Sequence, residues 1–466
     1  MTIQDSENIY CLGIGGIGVS GLARMLFAMG KNVRGSDLRE SQITNSLVKL
    51  GIPVIIGHAV ANLDPKPDLV IYSQDVTAGS PGYVELAEID KLNIPKLTQA
   101  QALGELMAGK YGIGVTGTNG KSTTTAMLGL ILQVANLDPS VLIGSNLAPI
   151  NETEKFKANA RLGQGKFFVA ESDEYHRKML ENHPQMIVIT NVAEDHLDYY
   201  QDLGEIKQAF LEYILSLPKD GVVIYNADDH NAVEVGRRAQ CHKFTFGIHH
   251  YADLQAINLK TDNSKQIFDL HFDDQKIGEF ELGVPGAFNV SNALAAALAA
   301  IKLGVKIDVI KKVLSEYAGL WRRFEKVGEI HGKTIISDYA HHPVAVAGTI
   351  LAAKQFYPGK KILVVFQPHH RNRTKLLFND FVDSLMEADE VIVTEIFDVA
   401  GREHGENISS RDLVVALKAK KENSTYAANL DETAKLIQSK LPNYDVALMM
   451  GAGDIDSLAR KLIHNN

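Results

Sequence analysis

Short apolar runs alternate with longer segments of helical periodicity along most of the chain. A short apolar run bounded by turn residues predicts a buried strand, and apolar residues three or four positions apart predict the buried face of a helix. This alternation is typical of α/β proteins with parallel sheets. The predicted strands are NIYCL (8–12), KNVRGSD (31–37), GIPVIIGH (51–58), DLVIYSQ (68–74), KFFVA (166–170), MIVIT (186–190), GVVIYN (221–226), TIISDYA (334–340), KKILVVF (360–366), EVIVTEI (390–396) and VALMMG (446–451).

The length of the chain, 466 residues, predicts about three domains. Residues 1–107 are predicted to form a small Rossmann-like domain with fewer strands than a full dinucleotide fold. Residues 108–324 are predicted to form a central domain with a mostly parallel sheet of the phosphate-loop ATPase type. Within it, alternating apolar and polar residues at 242–283 predict an antiparallel patch. Residues 325–466 are predicted to form a C-terminal Rossmann-like α/β domain.

The stretch GIGVTGTNGKSTTTAM, residues 112–127, predicts a strand, a glycine turn and the start of a helix. In this arrangement backbone N–H groups can surround phosphates. Lys121 supplies a charge for the β- and γ-phosphates, and the Ser122 hydroxyl is placed to ligate Mg²⁺. An ordinary glycine turn is the alternative, but a Lys-Ser pair directly after a glycine favours nucleotide binding. The predicted ATP-binding residues of this loop are Gly117, Thr118, Asn119, Gly120, Lys121, Ser122 and Thr123.

Acidic residues and a histidine follow the next two predicted strands. The carboxyl ends of parallel strands meet at one sheet edge, so these side chains are expected beside the phosphate loop. Carboxylates and an imidazole there suit a divalent cation that bridges phosphates. The predicted metal ligands are Ser122, Glu174 and His196. A solvated acidic turn is the alternative, and Glu171 and Asp173 are the alternative ligands.

A second glycine turn, GIGGIG at residues 13–18, follows the first predicted strand. Asp37 lies about 20 residues further on, as in a dinucleotide-binding unit. The turn therefore predicts a site for a nucleotide diphosphate, while a tight turn with nothing bound is the alternative. An oxidoreductase is also compatible with this motif alone, and a titration that shows no nicotinamide binding would dismiss it.

Polar residues at later strand and helix ends are further candidates. Asn289 and Asn292 share one helix face, where they can cap the helix or present an amide to adenine. Arg322 and Arg323 can reach phosphates or form a surface pair. His and Arg side chains follow the strands that end at Ala340 and Phe366.

The composition excludes several classes of protein. The net charge of −9 and the pI near 6.0 argue against a general nucleic-acid surface. Two cysteines suit a reducing compartment, and no signal segment or membrane-spanning run is found. A cytoplasmic protein without membrane or nucleic-acid partners is therefore expected.

The motifs, in their order along the chain, resemble the Mur ligases, the ATP-dependent amide-forming enzymes of peptidoglycan precursor synthesis. The resemblance covers essentially the whole chain. It rests on GIGGIGVSGLA, GVTGTNGKSTTT, NARLGQGKFFVAESDE, the TN…DHLD segment, NVSNALAA, RRFE, DYAHHP, FQPH…RT and GAGDI. Within the family, FQPH and GAGDI point to the member that uses ATP and Mg²⁺ to add L-alanine to the carboxylate of UDP-N-acetylmuramate, through an acyl phosphate. A monomer or weak homodimer is expected.

The resemblance also implies roles for residues that match the family motifs. Its implied UDP-sugar-binding residues are Gly15, Gly16, Ile17, Gly18, Asp37 and Ser73. Its implied ATP contacts beyond the loop are Asn289, Asn292, Arg323 and Asp338. Its implied amino-acid-binding residues are Tyr339, His341, His369 and Arg373. The expected catalytic residues are Lys121, Glu174, His196, His341 and Arg373.

Several positions depart from the family pattern, which affects the expected substrate contacts rather than the reaction class. His370 stands where Arg is usual, Phe288 where His is frequent and Gln99 where Arg is usual. Tyr175-His176-Arg177 follows Glu174 in place of Ser-Asp. Leu211 occupies the register of the carbamoylated Lys of some relatives, so none is expected.

Two alternative functions remain. A related ligase that attaches a recycled cell-wall peptide to the same sugar nucleotide is disfavoured by FQPH and GAGDI. A phosphate-loop ATPase or nucleotide switch without ligase chemistry is disfavoured by the His and Arg residues of the C-terminal strand ends, because a switch needs no second substrate domain.

Overall fold

The computed structural model describes residues 2–147, 156, 158–197, 199–262, 265–398, 408–420 and 423–464. The strands are β1 Asn8–Leu12, β2 Asn32–Asp37, β3 Val54–Ile56, β4 Leu69–Tyr72, β5 Lys96–Thr98, β6 Tyr111–Thr116, β7 Ser140–Leu142, β8 Ala160–Arg161, β9 Phe167–Glu171, β10 Met186–Ile189, β11 Val222–Asn226, β12 His242–Gly247, β13 Leu254–Asp262, β14 Lys265–Phe272, β15 Gln275–Leu282, β16 Glu325–Ile330, β17 Lys333–Asp338, β18 Ile362–Phe366, β19 Glu390–Thr394, β20 Ser424–Ala427 and β21 Val446–Met450. The α-helices are α1 Ile17–Ala28, α2 Gln42–Leu50, α3 Tyr83–Lys91, α4 Gln99–Met107, α5 Lys121–Val134, α6 Leu203–Leu215, α7 His230–Gly236, α8 Ala287–Lys302, α9 Ile307–Glu316, α10 Pro343–Phe356, α11 Arg371–Leu376, α12 Phe378–Leu385, α13 Ser410–Lys420, α14 Leu430–Lys440 and α15 Ile455–His464.

The chain forms two compact units. The first comprises Met1–Asn258, Phe268–Phe280 and Val290–Tyr317, and the second comprises Leu259–Ile267, Glu281–Asn289 and Ala318–Asn466. Three mainly parallel sheets confirm the predicted α/β fold class. Among the described residues, none of the helices has both the length and the apolar character needed to cross a bilayer.

The N-terminal sheet has the strand order β3-β2-β1-β4-β5, and all its pairs are parallel. The chain leaves β1 toward β2 and β3 and returns to β4 on the other side of β1. This reversal opens a crevice at the carboxyl ends of β1 and β4, where ligands bind in open α/β sheets. The glycine turn after β1 lies at this crevice.

The central sheet has the order β15-β14-β13-β12-β11-β10-β6-β9-β7-β8. From β11 to β7 the described pairs are parallel, with β6 between β10 and β9. The segments that follow β6, β9 and β10 therefore meet at one edge. Buried side chains of the N-terminal sheet and of α1, such as Ile9 and Leu22, share one apolar cluster with Leu142 and Phe168 of the central sheet.

The prediction of an antiparallel patch at 242–283 is wrong for the first strand of this segment, β12. β12 pairs in parallel with β11, because α7 provides the crossover between them. This helix is too short to give a clear periodicity. The prediction fits the β14–β15 hairpin, whose two linking residues, Asp273 and Asp274, have φ values of 47° and 64°. Left-handed residues at both positions are typical of a type I′ turn.

The C-terminal sheet has the order β16-β17-β21-β18-β19-β20, parallel except for β16. Its central strands are buried on both faces, which explains their continuous apolar sequences. Because β21 lies between β17 and β18, the segments after these three strands are neighbours at one edge. They carry the DYAHHP, FQPHH and GAGD motifs.

Candidate active site

The phosphate loop is built on two glycines with left-handed backbones. Gly117 (φ 133°) directly follows β6, and Gly120 (φ 87°) is the N-cap of α5. A Cβ on Gly117 would overlap the Thr190 hydroxyl, and a Cβ on Gly120 would overlap the Asn292 amide oxygen. Both positions therefore require glycine for conformation and for space.

The segment after β10 holds this loop in place. The Thr118 hydroxyl accepts a hydrogen bond from the Ala193 N–H (2.9 Å), and the Asn119 N–H donates to the Asn191 side-chain oxygen (2.9 Å). The Thr190 hydroxyl donates to the Asn119 carbonyl (2.6 Å). The loop is therefore ordered by its own domain.

Lys121 lies at the centre of the site. Its Nζ donates to the Gly117 carbonyl (2.6 Å) and to both carboxylate oxygens of Glu174 (3.0 and 2.9 Å). Glu174 is only 2% exposed. The loop lysine and the predicted metal ligand thus form a buried ion pair.

Burial is the largest influence on the pKa of each partner in this ion pair. It raises the pKa of Glu174 to about 7, against the effect of Lys121. For Lys121 the carboxylates of Glu174, Asp173 and Glu171 outweigh burial and raise the pKa to about 12. The pair is ionised, because three carboxylates face a lysine that donates to both Glu174 oxygens.

A cluster suited to a cation adjoins Lys121. One ligand atom from each of Asp173, Glu174 and His196 lies within 4.8 Å of the others. Burial raises the pKa of Asp173, but Lys178, Lys121 and His196 together hold it below its usual range. His196 has a left-handed backbone (φ 54°), and its ring stacks on Tyr175 at 4.3 Å. Two carboxylates and an imidazole can hold a divalent cation beside phosphate.

The sequence pattern predicted Asp173 only as an alternative ligand, whereas the structure places it in this cluster. Glu171, the other alternative, instead accepts a hydrogen bond from the Gly144 N–H at 2.8 Å. Ser122 and Thr123 are buried in the first turn of α5. The role of Ser122 as a ligand stays a prediction.

The two predicted asparagines of α8 differ in their contacts. The Asn289 amide donates to the Pro285 carbonyl (2.7 Å), a local contact at the start of the helix. Asn292 lies farther along and accepts from the Thr124 hydroxyl (3.5 Å), against Gly120 of the loop. Helix capping therefore does not explain Asn292, which contacts the phosphate loop.

The N-terminal glycine turn lies where β1, β2 and β4 end. The Gly15 N–H donates to the Asp37 carboxylate (2.8 Å), and Gly16 is the N-cap of α1, which begins with Ile17 and Gly18. Ser73 lies beside Gly13, with its N–H bonded to the Leu12 carbonyl. Asp37 therefore orders the glycine turn, a role that sequence spacing did not indicate.

In the second unit, Asp338 organises the end of β17. Its carboxylate accepts from the Phe324 N–H (2.7 Å) and the Ala340 N–H (2.8 Å). Burial raises its pKa, and Arg323 opposes this shift. The Arg323 guanidinium lies 5.0 Å from the centre of the Tyr339 ring. Arg323, Asp338 and Tyr339 are thus brought together.

Three histidines lie side by side in the same unit. The ring centres of His341 and His369 are 6.0 Å apart, and those of His369 and His370 are 4.1 Å apart. The His341 Nδ1 is 2.9 Å from the Tyr339 carbonyl. Half-buried Arg373 follows His370 on α11. All four residues predicted to bind the amino acid lie on the segments after β17 and β18.

The FQPH and GAGDI motifs are physically joined. The Gln367 side chain donates to Asp454 (2.7 Å) and accepts from the Ile455 N–H (3.1 Å). Gln367 is buried, so this bridge fixes the ends of β18 and β21 relative to each other. The order of motifs in the sequence did not show this link.

Comparisons with known proteins identify the family. Residues 8–111 match the family model of the Mur ligase catalytic domain, residues 115–300 the Mur ligase middle domain and residues 322–453 the Mur ligase glutamate ligase domain. The chain is 38% identical to UDP-N-acetylmuramate–L-alanine ligase of Alkaliphilus metalliredigens over 98% of this chain and 97% of that protein. It is 37% identical to that of Clostridium novyi, over 97% and 96%. The crystal structure of UDP-N-acetylmuramate-alanine ligase from Thermotoga maritima superposes with a TM-score of 0.83, at 28% identity over 98% of each chain. The chain therefore belongs to the Mur ligase family.

Proposed function

We propose that this protein is an ATP-dependent ligase that joins L-alanine to the carboxylate of UDP-N-acetylmuramate, an early step of peptidoglycan synthesis. One geometric observation carries the proposal: the phosphate-loop lysine, Glu174 and His196 meet at one sheet edge. The near full-length similarity to alanine-adding ligases supports the choice of amino acid.

The first chemical step activates the sugar carboxylate, because a carboxylate is a poor acyl donor. Transfer of the γ-phosphoryl group of ATP gives an acyl phosphate and ADP, and this transfer depends mainly on positioning and charge neutralisation. Lys121 and the N–H groups at the start of α5 supply positive charge for the phosphates. In the second step the neutral amine of L-alanine attacks the acyl carbon, and phosphate leaves.

The donor set beside Lys121 fits Mg²⁺ as the resident cation. Asp173, Glu174 and His196 would hold it, together with the predicted ligand Ser122. When bound, the cation would neutralise phosphate charge during transfer. Because the lysine and the cation cluster share Glu174, both would face the same phosphates.

We assign the amino acid to the second unit. A guanidinium holds a carboxylate through two parallel hydrogen bonds, and Arg373 is our candidate for this contact. His341 or His369 would accept the proton of the amine, since a neutral imidazole nitrogen can act as a general base. Asn289, Asn292, Arg323 and Asp338 are proposed ATP contacts, and Tyr339 is a proposed amino-acid contact. Gly15, Gly16, Ile17, Gly18, Asp37 and Ser73 are proposed to bind the UDP-sugar.

Other features of the protein remain proposals. We propose domain limits of 1–107, 108–324 and 325–466. We also propose a monomer or weak homodimer, and light scattering would test this oligomeric state. A cytoplasmic location fits the two cysteines, Cys11 and Cys241, neither of which forms a disulfide.

Phosphate release from ATP tests the proposed function. The protein is incubated with UDP-N-acetylmuramate and, in turn, L-alanine, glycine, L-serine and a cell-wall peptide that begins with L-alanine. Release that requires both the sugar nucleotide and L-alanine is expected. Release that requires the sugar nucleotide and the peptide, and does not occur with L-alanine, would favour the recycling ligase. Release without the sugar nucleotide and without an amino acid or peptide would favour a simple ATPase.

A further inference from the structure

The residues of the cation cluster come from segments that β6 separates. Asp173 and Glu174 follow β9, whereas His196 follows β10, and the sheet order is β10-β6-β9. Even so, the His196 Nε2 lies 3.9 Å from a Glu174 carboxylate oxygen. A contact that bridges the two segments is therefore needed to keep these ligands in register.

Tyr200 provides this bridge. Its hydroxyl donates to the backbone carbonyl of Glu174 (2.5 Å), and its own N–H donates to the backbone carbonyl of His196 (2.9 Å). The side chain is 1% exposed and packs in an apolar cluster with Val192 and Phe210. One rigid, buried residue thus holds the main chain of both ligands.

The main chain is left-handed at His196 and at two residues shortly after Glu174, whose own backbone is right-handed. His176 and Arg177, which follow the Glu174 segment, have φ values of 53° and 55°, and His196 has a φ of 54°. A residue other than glycine keeps a left-handed conformation only where its surroundings hold it there. The hydrogen bonds from Tyr200 to the Glu174 and His196 carbonyls supply part of this restraint.

We propose that Tyr200 is a positioning residue for the divalent-cation site, which fixes Glu174 through its hydroxyl and His196 through its N–H. The inference rests on the proposed function only in taking the cation to be the one that accompanies ATP. Groups that orient metal ligands without touching the metal change metal affinity by about 10–100-fold when they are removed.

The test is Tyr200→Phe in the full-length protein, with Tyr213→Phe as the matched control. The Tyr213 hydroxyl is equally buried in the same apolar cluster, but it donates to the Ser172 hydroxyl (2.9 Å) and not to a ligand residue. Mn²⁺ is the probe, and its binding is measured by electron paramagnetic resonance without any turnover. Thermal melting of each variant monitors the fold.

We expect Tyr200→Phe to weaken Mn²⁺ binding by about tenfold and to raise the Mg²⁺ concentration for half-maximal rate similarly, with the KM for L-alanine unchanged. Tyr213→Phe should lower the melting temperature to a similar extent and leave Mn²⁺ affinity within about twofold. Equal Mn²⁺ affinity in the two variants, or none in the wild type, would overturn the proposal.

A double variant separates the positioning of Glu174 from a general structural effect of Tyr200→Phe. In a Glu174→Gln background the ligand that Tyr200 orients is lost, so adding Tyr200→Phe should change Mn²⁺ affinity little further. Full additivity would indicate a purely structural role. Since Mn²⁺ binding needs no sugar nucleotide or amino acid, a protein that binds Mn²⁺ in this way but forms no amide would contradict the proposed function and not the role of Tyr200.

Discussion

The ammonium group of Lys121 lies against both carboxylate oxygens of Glu174, at 3.0 and 2.9 Å. The same carboxylate belongs to the cluster with Asp173 and His196 that is suited to a cation. A cation bound at this cluster would therefore compete with Lys121 for Glu174, and phosphates that bind Lys121 would relieve the competition. Because coupling between two ligands is reciprocal, nucleotide binding should strengthen cation binding, and the cation should strengthen nucleotide binding.

Lys121→Met tests this competition. We expect turnover to fall by about 10²–10³-fold, since loss of one preorganised donor to the transition state costs roughly 3–4 kcal/mol. Without nucleotide, however, Mn²⁺ should bind at least about tenfold more tightly, because a unit charge near the cation site is removed. Phosphate release and paramagnetic resonance of Mn²⁺ measure the two effects.

Lys110→Met is the control for this variant. The Lys110 Nζ donates to the Gly163 carbonyl (2.7 Å) and the Gly165 carbonyl (3.1 Å), and burial lowers its pKa. Its loss should leave Mn²⁺ binding unchanged. Near-normal ligation by Lys121→Met would refute the phosphate-loop assignment, and unchanged Mn²⁺ binding would refute the competition.

Local sequence patterns predicted the loop and its partners only in part. The phosphate loop is a local turn, defined by Gly117, Gly120 and Lys121. Its conformation depends on residues close together in sequence, so a sequence pattern can predict it. The contact between Tyr200 and Glu174 joins residues that are distant in sequence, and it exists only because β9 and β10 flank β6. No pattern of spacing specifies such a contact.

The predicted ligand set shows the same limit. Alternation of strands and helices placed Glu174 and His196 at one edge, as observed. Which of Glu171 and Asp173 joins them depends on the direction of each side chain, and the Gly144 N–H holds Glu171 elsewhere. Such choices between near neighbours depend on packing that the sequence pattern does not show.

Changes at the three clustered residues should distinguish cation ligands from neighbouring residues. Asp173→Asn, Glu174→Gln and His196→Ala are each expected to raise the Mg²⁺ concentration for half-maximal rate by at least about tenfold, since the first two remove a ligand charge and the third removes the imidazole. Glu171→Gln is the control, because its carboxylate is bound to a backbone N–H, and it should change the Mg²⁺ requirement much less. A larger effect from Glu171→Gln than from Asp173→Asn would return Glu171 to the ligand set.

Gly120→Ala should impair nucleotide binding specifically. The added Cβ would overlap the Asn292 amide oxygen and would force a left-handed alanine at the N-cap of α5. We expect the KM for ATP to rise by at least about tenfold while the KM for UDP-N-acetylmuramate stays nearly constant, because a misplaced loop loses phosphate contacts.

Gly304→Ala separates backbone strain from the overlap. Gly304 also has a left-handed backbone (φ 82°), but a Cβ there would meet no atom within 4 Å. This variant should lose roughly 1–2 kcal/mol of stability and keep the wild-type KM for ATP. If both variants change the KM for ATP equally, the effect of Gly120→Ala arises from general destabilisation.

The last prediction concerns the amino-acid site. Arg373 lies on α11, shortly after the neighbouring histidines His369 and His370. An amino acid must present a free amine to the acyl phosphate, so its own carboxylate has to be held apart. Arg373→Lys keeps the charge and loses the two parallel donors. The KM for L-alanine should rise by about 10–100-fold, in line with roughly 1.5–3 kcal/mol for a charged hydrogen bond, while the KM for ATP stays nearly unchanged.

Arg371→Lys provides the matched control, because the Arg371 guanidinium lies two residues from Arg373 and is bound within the protein. The Arg371 Nε donates to Asp398 at 2.9 Å, and a second nitrogen donates to the Ile408 carbonyl, so this side chain links two segments of the C-terminal sheet edge. Its replacement should lower the melting temperature and leave the KM for L-alanine nearly unchanged.

Initial rates at varied L-alanine and at varied ATP measure the two KM values for each variant. An equal rise in both KM values for Arg373→Lys would assign Arg373 to the nucleotide, and an unchanged KM for L-alanine would place the amino-acid pocket on other residues of this edge.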